Sequence, residues 1–158
     1  MKKVILISLS IMALSFYSCK EDSETPEIPK TKTELLCASA WKYFSATITP
    51  GIEINGVMTN NLFEGADPCD LDDLEIYKSD GTGSFDDGPT KCDPSDPQSD
   101  PFTWKFNTTE TTLTIDPDDV YDIVTLDANT MVVTQVLDGD NVGGTSGVNY
   151  TLTYTYKH

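Results

Sequence analysis

The chain has 158 residues, and its 26 acidic residues outnumber 10 basic residues, all of them lysines, which gives a formal net charge of −16 at pH 7. This length is typical of one domain, and a hydrophobic content of 38% excludes a wholly disordered chain. The negative charge argues against nucleic-acid binding, because lysine and arginine neutralise phosphates. His158 is the only histidine, which excludes most histidine-based acid–base, triad and zinc chemistry.

Residues 1–18 have the pattern of a signal peptide. Two lysines precede an apolar run, 4–16, that is too short for a transmembrane helix. Ser18 then precedes Cys19, and a small residue before a cysteine at this position resembles the lipobox of bacterial lipoproteins. The resemblance implies that residues 1–18 are removed and that Cys19 receives diacylglycerol and an acyl chain such as palmitate. Two or more acyl chains anchor a protein stably to a membrane.

The residues after Cys19 predict a destination and a tether. Lys20, Glu21 and Asp22 resemble the export signal of Bacteroidetes lipoproteins, which implies a lipid-anchored location at the outer membrane or cell surface. Residues 20–33 contain only one large apolar side chain. We therefore expect 19–33 to be a lipidated cysteine with a flexible acidic tether, and 34–158 to be the folded domain.

From Trp41 onwards, short alternating runs are separated by Gly, Asn, Asp and Pro, which predicts an all-β protein. We expect a short helix or one helical turn over residues 34–40, and turns at 49–51, 79–81 and 127–129. The expected strands are 41–48, 52–58, 74–78, 82–85, 102–106, 111–115, 120–126, 131–137 and 148–156.

Eight or nine strands in sequential hairpins predict an antiparallel meander closed into a barrel of about eight strands, because closure removes exposed edges. A Greek-key β-sandwich is the alternative, since alternation does not reveal strand order. A barrel of this size either fills with side chains or holds one small ligand. Five aromatic residues could line such a cavity, although in a small β domain they more often belong to the core. They are Trp41, Trp104, Tyr121, Tyr150 and Tyr154.

The chain has four cysteines. If Cys19 carries lipid, three remain, and one of these stays unpaired. A bridge between Cys69 and Cys92 would close a loop around the expected hairpin 74–86 and contribute about 3 kcal/mol in an oxidising compartment. Cys37 lies among apolar neighbours, which favours a buried, inert thiol over a nucleophile.

The segment from Asp67 to Asp100 is strongly acidic, with only Lys78 and Lys91 opposing its acids. Its acids are Asp67, Asp70, Asp72, Asp73, Glu75, Asp80, Asp86, Asp87, Asp93, Asp96 and Asp100. Calcium prefers several carboxylate and carbonyl oxygens, but the spacing is not that of an EF-hand, and we interpret the segment as a solvated acidic surface without a metal. Paired carboxylates can hydrolyse glycosides, but so many acids produce a suitable pair by chance. We therefore expect no catalytic residues, no cofactor and no enzymatic activity.

A series of motifs resembles the lipocalin-like domain found in small Bacteroidetes lipoproteins. In order, the motifs are Leu36 with Trp41, Cys69-Asp70-Leu71-Asp72-Asp73, Ser79-Asp80-Gly81-Thr82, Cys92, Trp104, Tyr121-Asp122-Ile123 with Leu126, and a tyrosine-rich final strand. The resemblance covers residues 34–158. It implies a lipocalin-like β-barrel with a disulfide between Cys69 and Cys92, but no activity, because the family lacks a generally assigned ligand.

Two functions follow as expectations. The first is a lipid-anchored surface protein whose barrel binds a small apolar or amphipathic ligand. The alternative is a non-enzymatic structural or interaction module of a cell-surface complex, with a filled barrel. The alternative predicts an exposed apolar patch on the folded domain.

Overall fold

The computed structural model describes residues 30–158, which form nine β-strands in one sheet and a short α-helix. The elements are α1 (Lys32–Leu36), β1 (Trp41–Ile54), β2 (Val57–Asn61), β3 (Leu74–Tyr77), β4 (Thr82–Asp86), β5 (Ser99–Phe106), β6 (Thr112–Ile115), β7 (Asp119–Leu126), β8 (Thr130–Asp138) and β9 (Asn149–Lys157). A single 3-10 turn, Gly139–Asn141, lies between β8 and β9. Within residues 30–158, none of the helical structure has the length and hydropathy of a membrane span.

Each strand from β3 to β9 pairs antiparallel with the next, and β9 pairs back onto β1. Eight strands, β1 and β3 to β9, therefore close into a barrel, and β2 is an extra strand beside β1. The predicted closed meander is confirmed, and the Greek-key sandwich is excluded, because the spatial order follows the chain order. Closure pairs both edges of the eight-stranded sheet.

β1 joins its two barrel neighbours unequally. It pairs with β9 at seven positions between residues 42 and 49. It pairs with β3 at only two positions, Trp41 opposite Glu75 and Lys42 opposite Leu74. Beyond this short junction, which we call the seam, β2 and the segment that follows it cover the edge of β1.

The first hairpin differs from the sequence prediction. The predicted turn at 49–51 is wrong, because β1 continues through Pro50 and the chain turns at Asn55 and Gly56. These two residues have φ angles of 53° and 82°, and Asn-Gly is the pair that a two-residue hairpin turn with positive φ favours. Pro50 fits within β1 because the pairing with β2 is irregular around it, so no ladder bond from its nitrogen is needed.

α1 closes one end of the barrel. Thr31 caps it through a capping box, in which the Thr31 hydroxyl accepts a bond from the Glu34 amide and the Glu34 carboxylate accepts one from the Thr31 amide. The Trp41 indole N–H donates to the Leu36 carbonyl at 2.8 Å, which ties the start of β1 to the helix. The helix begins at Lys32, two residues before the expected start of the domain.

The main core fills the end of the barrel that α1 closes, because it contains Leu36 of that helix. Its buried members are Leu36, Trp41, Tyr77, Phe102, Trp104, Leu113, Ile115, Met131, Val133 and Tyr156. A smaller cluster contains Ile48, Tyr150 and Leu152. Burial of each large apolar side chain contributes about 1.5–3 kcal/mol relative to exposure, so the main core contributes more of the apolar stabilisation than the smaller cluster does.

Cys69 and Cys92 form a disulfide, with a Cα–Cα distance of 5.3 Å. It links the segment before β3 to the segment after β4 and so clamps that hairpin, which confirms the predicted pairing. Among the cysteines of residues 30–158, Cys37 is the free one; it is half-buried, and burial raises the pKa of its thiol. The predicted signal peptide, the lipidation site Cys19 and the predicted export signal 20–22 lie outside the described residues.

Candidate functional site

β3 places a carboxylate inside the barrel. Glu75 and Tyr77 lie opposite Phe85 and Gly83 of β4 and share the inward face of their strand. Glu75 is only 2% exposed. The interpretation of the acidic segment as a solvated surface is therefore wrong for Glu75, because the alternation of β3 directs this one acid into the core.

Three tyrosine hydroxyls donate hydrogen bonds to the Glu75 carboxylate. Tyr43 on β1 and Tyr156 on β9 both donate to Oε1 at 2.9 Å. Tyr77 on β3 donates to Oε2. We call Glu75 and these three tyrosines the carboxylate cluster. It spans the seam, because Glu75 belongs to β3 while two of its donors belong to β1 and β9.

The carboxylate cluster contains no cation. Among residues 30–158, the side chains hydrogen-bonded to Glu75 are the three tyrosines, and the chain has no arginine. Burial raises the pKa of Glu75, and the hydrogen bonds from the three hydroxyls oppose that rise. Burial and the nearby Glu75 raise the pKa of Tyr43, Tyr77 and Tyr156, so these phenols stay protonated as donors. Glu75 is consequently the member of the cluster whose charge can change.

The carboxylate also has unused acceptor capacity. Oε1 accepts two hydrogen bonds, while Oε2 accepts one. Because each carboxylate oxygen can accept two, one acceptor position on Oε2 is not used by the described residues. The donors among the described residues therefore do not saturate the Glu75 carboxylate.

Four aromatic rings extend from the carboxylate cluster through the barrel interior, and we call them the aromatic row. They follow the order Phe63, Tyr43, Tyr154 and Tyr121, with successive ring centroids 6.1, 6.2 and 6.2 Å apart in edge-on contacts. All four are half-buried, unlike the buried Tyr77 and Tyr156. The row is thus a set of adjacent aromatic rings that keep partial exposure to solvent.

Tyr121 and Tyr154 of the aromatic row lie close enough to Glu75 for its charge to affect their pKa values. Burial raises the pKa of Tyr121 and Tyr154, and the charges of Asp119 and Glu75 add to both increases. Within residues 30–158, neither hydroxyl is hydrogen-bonded to the protein. Both phenols are therefore neutral groups that can donate or accept a hydrogen bond with a molecule in the barrel.

The five aromatic residues predicted to line a cavity divide into two groups. Trp41, Trp104 and Tyr150 are buried in the core, and the polar atom of each already forms a hydrogen bond with the backbone. Tyr121 and Tyr154 are half-buried and adjacent in the aromatic row. The structure therefore brings two of the five together at an accessible surface, and ligand contact by them stays a prediction.

Sequence reasoning missed Glu75, Tyr43 and Phe63 as candidate site residues. A signal for Glu75 was present, because it precedes Tyr77 by two residues and so shares its face. The flanking Leu74 and Ile76 obscured this signal, since they make the other face of β3 apolar as well. For Tyr43 and Phe63 the decisive information is the packing between strands, which the local pattern does not contain.

A shallow cleft of about 230 Å³ lies at β5 and β6. Its lining residues are Thr103, Trp104, Lys105, Thr114, Asp116 and Pro117. Trp104 faces the core, so the strand alternation places Thr103 and Lys105 on the outer wall of the barrel. The Asp116 carboxylate already accepts hydrogen bonds from the amide and hydroxyl of Thr103. The cleft therefore offers less binding chemistry than the interior.

The acidic segment near the disulfide contains crowded carboxylates. Burial and the neighbouring acids raise the pKa of Asp73 to about 6; these acids are Asp70, Asp72, Asp86 and Asp87. Cys69, Asp70 and Cys92 lie close enough to share an ion, but the two sulfurs are joined in a disulfide and are not thiolate ligands. This geometry does not favour a metal centre.

A family model for a lipocalin-like domain matches residues 41–133, which run from the start of β1 into β8 and make up more than half of the chain. No curated protein matches the sequence significantly. The matched range lies within the 34–158 expected from the sequence motifs. It contains Glu75 and three members of the aromatic row, and it ends before Tyr154 and Tyr156.

Proposed function

The chain belongs to the family of lipocalin-like domains, and from this premise we propose that its barrel binds a small apolar or amphipathic molecule. The observation that carries the proposal is the aromatic row, which is half-buried and lies beside a buried carboxylate. An eight-stranded barrel has room for one small ligand where side chains do not fill it. Ligand sites typically combine apolar walls with a few polar groups, and this interior has both.

The geometry suggests how such a ligand would lie. Its apolar part would contact the rings of Tyr43, Tyr154 and Tyr121, because these rings are adjacent and half-buried. Its polar part would approach Glu75, where an acceptor position on Oε2 is unused. We propose no enzymatic activity for this site, since carboxylate-based hydrolysis needs a second acid and the three residues bonded to Glu75 are phenols.

The ligand can be sought directly in the protein purified from its host. Native mass spectrometry of the wild type is expected to show an added small-molecule mass that denaturation releases. Tyr154→Ala, which removes a ring from the aromatic row, should lose this mass. Phe44→Ala is the matched control, because Phe44 is an aromatic residue of β1 that is 61% exposed. Absence of any added mass in the wild type, or its equal loss from both variants, would contradict the proposal.

We further propose that the domain is held at the outer membrane or cell surface by a lipid on Cys19, with residues 20–22 as export signal. The lipobox resemblance supports the anchor, and residues 20–31 would allow the domain to reach roughly 40 Å from the lipid. Cys19→Ala is expected to move the protein from the membrane fraction to the soluble fraction. Replacement of Lys20, Glu21 and Asp22 by alanine should keep it in the membrane but protect it from protease added to intact cells. A membrane-bound Cys19→Ala protein would contradict the anchor, and an undiminished protease sensitivity would contradict the export signal.

One observation favours the alternative function as an interaction module. Val57 and Met58 are consecutive residues of β2 and are 56% and 70% exposed, so each face of this hairpin carries an exposed apolar side chain. Exposed apolar surface can serve as a contact surface for another protein. If this hairpin binds a partner, Val57→Ser with Met58→Ser should abolish a cross-linked complex on intact cells without affecting a small molecule in the barrel. A complex that survives both substitutions would count against the hairpin as the interface.

A further inference from the structure

We propose that the ligand of this barrel is an apolar or amphipathic amine, whose positively charged nitrogen contacts Glu75 at the base of the aromatic row. The inference rests on the proposed function and narrows it to one chemical class. It is carried by three features of the interior: an uncompensated acid, an unused acceptor position and a row of accessible aromatic rings.

The first feature is the missing counter-charge. Buried charges in proteins are usually paired, because a carboxylate removed from water loses much of its solvation energy. Glu75 is 2% exposed and has three phenol donors but no cation among residues 30–158. The three phenols provide hydrogen bonds to the carboxylate, but they carry no net charge that would balance its negative charge. An ammonium group would supply the charge that the protein does not.

The second feature is the position on Oε2. Tyr77 is its one donor, whereas Oε1 has two. A primary or secondary amine can donate to this position and bring its positive charge within contact distance of the carboxylate. An alcohol can donate as well, but it brings no charge. A ligand with a carboxylate would instead be repelled by the negative charge of Glu75. It would also find the three tyrosine hydroxyls already bonded to Glu75.

The third feature is the aromatic row. The face of a tyrosine ring attracts a cation within about 6 Å of its centroid. Tyr43 links the cluster to the row, because its hydroxyl binds Glu75 and its ring contacts Tyr154. The same rings can pack against the hydrocarbon part of an amine. An aromatic wall beside a carboxylate therefore suits a molecule that is cationic at one end and apolar elsewhere.

The distribution of lysines agrees with this class of ligand. Lys42, Lys105 and Lys157 lie on exposed positions of strands β1, β5 and β9. Lys32 binds the Glu110 carbonyl, and Lys91 binds carbonyls of its own loop. These side chains do not compete for Glu75. The net charge of −16 also attracts cationic molecules from solution and raises their association rate.

The test compares three probes with one chain length and different end groups: octylamine, octan-1-ol and octanoate. Their binding to the purified full chain is measured by isothermal titration calorimetry at pH 7.5. We expect octylamine to bind at least tenfold more tightly than octan-1-ol, and octanoate to bind more weakly than either. Glu75→Gln should reduce octylamine affinity to that of octan-1-ol while changing octan-1-ol affinity less than twofold.

The matched control is Glu53→Gln, which removes the same charge from an exposed position of β1 and should leave the octylamine preference intact. Should Glu75→Gln fail to fold, Tyr154→Leu provides a second variant outside the hydrogen bonds of the cluster. This variant is expected to weaken the binding of octylamine more than the binding of octan-1-ol, because leucine packs against a hydrocarbon chain but does not attract a cation. Equal weakening of the two affinities would contradict the proposal.

Two further outcomes separate the two levels of inference. If octan-1-ol and octanoate bind as tightly as octylamine, the amine proposal is overturned while ligand binding in the barrel stands. If none of the three probes binds, both the amine proposal and the proposed binding function are overturned. If Glu53→Gln loses the preference for octylamine as Glu75→Gln does, the preference comes from the overall charge of the protein, and the amine proposal is overturned.

Discussion

Tyr77→Phe removes one hydroxyl from the carboxylate cluster and leaves the shape of the core intact. The phenylalanine ring of the variant would keep the edge-on contacts that Tyr77 makes with Phe102 and Trp104, at centroid distances of 5.3 and 5.8 Å. Glu75 Oε2 would lose its donor among the described residues. A hydrogen bond to a charged group contributes about 1.5–3 kcal/mol, so we expect a loss of about 2 kcal/mol in unfolding free energy at pH 8.

The cost of Tyr77→Phe should depend on pH in a defined direction. Burial raises the pKa of Glu75 in the folded state, so its contribution to stability is complete below the pKa of the unfolded chain and is lost as pH rises through the folded pKa. The Tyr77 hydroxyl opposes this rise in the pKa of Glu75, and its removal raises the folded pKa further. The variant is therefore expected to lose more stability at pH 8 than at pH 5.

Urea unfolding followed by tryptophan fluorescence measures this difference, since Trp41 and Trp104 are both buried in the main core. Tyr121→Phe is the control, because that hydroxyl has no hydrogen bond within residues 30–158; its cost should stay below about 0.5 kcal/mol at both pH values. A Tyr77→Phe cost that is equal at pH 5 and pH 8, or that stays below about 0.5 kcal/mol at pH 8, would refute the reasoning.

Three further predictions concern stability. The double variant Cys69→Ala, Cys92→Ala opens a loop with a sequence separation of 23 and should lower the unfolding free energy, measured by thermal unfolding, by about 3 kcal/mol. Reduced wild type should lose a similar amount, and a loss below about 1 kcal/mol would contradict the estimate of loop entropy. The pKa of Asp73 is raised to about 6, so the contribution of this group to stability is lost as pH rises through 6. Asp73→Asn should therefore raise the unfolding free energy by about 1 kcal/mol at pH 7.5, a value discounted for solvent exposure, and by less at pH 5. A variant no more stable than wild type at pH 7.5 would disprove this. Gly83→Ala places a Cβ 2.2 Å from a ring carbon of Phe102 on β5 and should lower the unfolding free energy, measured with urea, by about 2 kcal/mol. Ser84→Ala is the control and should cost less, so equal stability of the two variants would be inconsistent with the close contact.

The strands were largely predictable because most of them bury one face. Along β9 the tyrosines and Leu152 alternate with threonines, and the observed strand 149–157 differs from the predicted 148–156 by one residue at each end. The first turn was mispredicted because two turn signals compete, Pro50-Gly51 and Asn55-Gly56. The choice between them depends on the pairing of β1 with β2, which the local sequence does not contain.

The candidate site was less predictable because it depends on pairing between distant strands. Tyr43 lies 32 positions from Glu75 in the sequence, and Tyr156 lies 81 positions from it. Both meet Glu75 only because β9 closes onto β1 and β1 meets β3. The aromatic composition suggested all five residues as ligand contacts, which stays a prediction, and nothing in the local pattern distinguished the half-buried Tyr121 and Tyr154 from the buried Trp41, Trp104 and Tyr150.

The hydrogen bonds that cross the seam include a titratable group. Backbone ladders do not titrate, so a wall held by many main-chain bonds has the same strength across ordinary pH. At the seam, the ladder between β3 and β1 has only two residue pairs, and the hydroxyls of Tyr43 and Tyr156 donate to Glu75, which adds side-chain links from β1 and β9 to β3. The cohesion of the seam therefore varies with the charge of a single carboxyl group. The same carboxyl group binds Tyr43 and Tyr156, which pair with each other in the seven-position junction between β1 and β9.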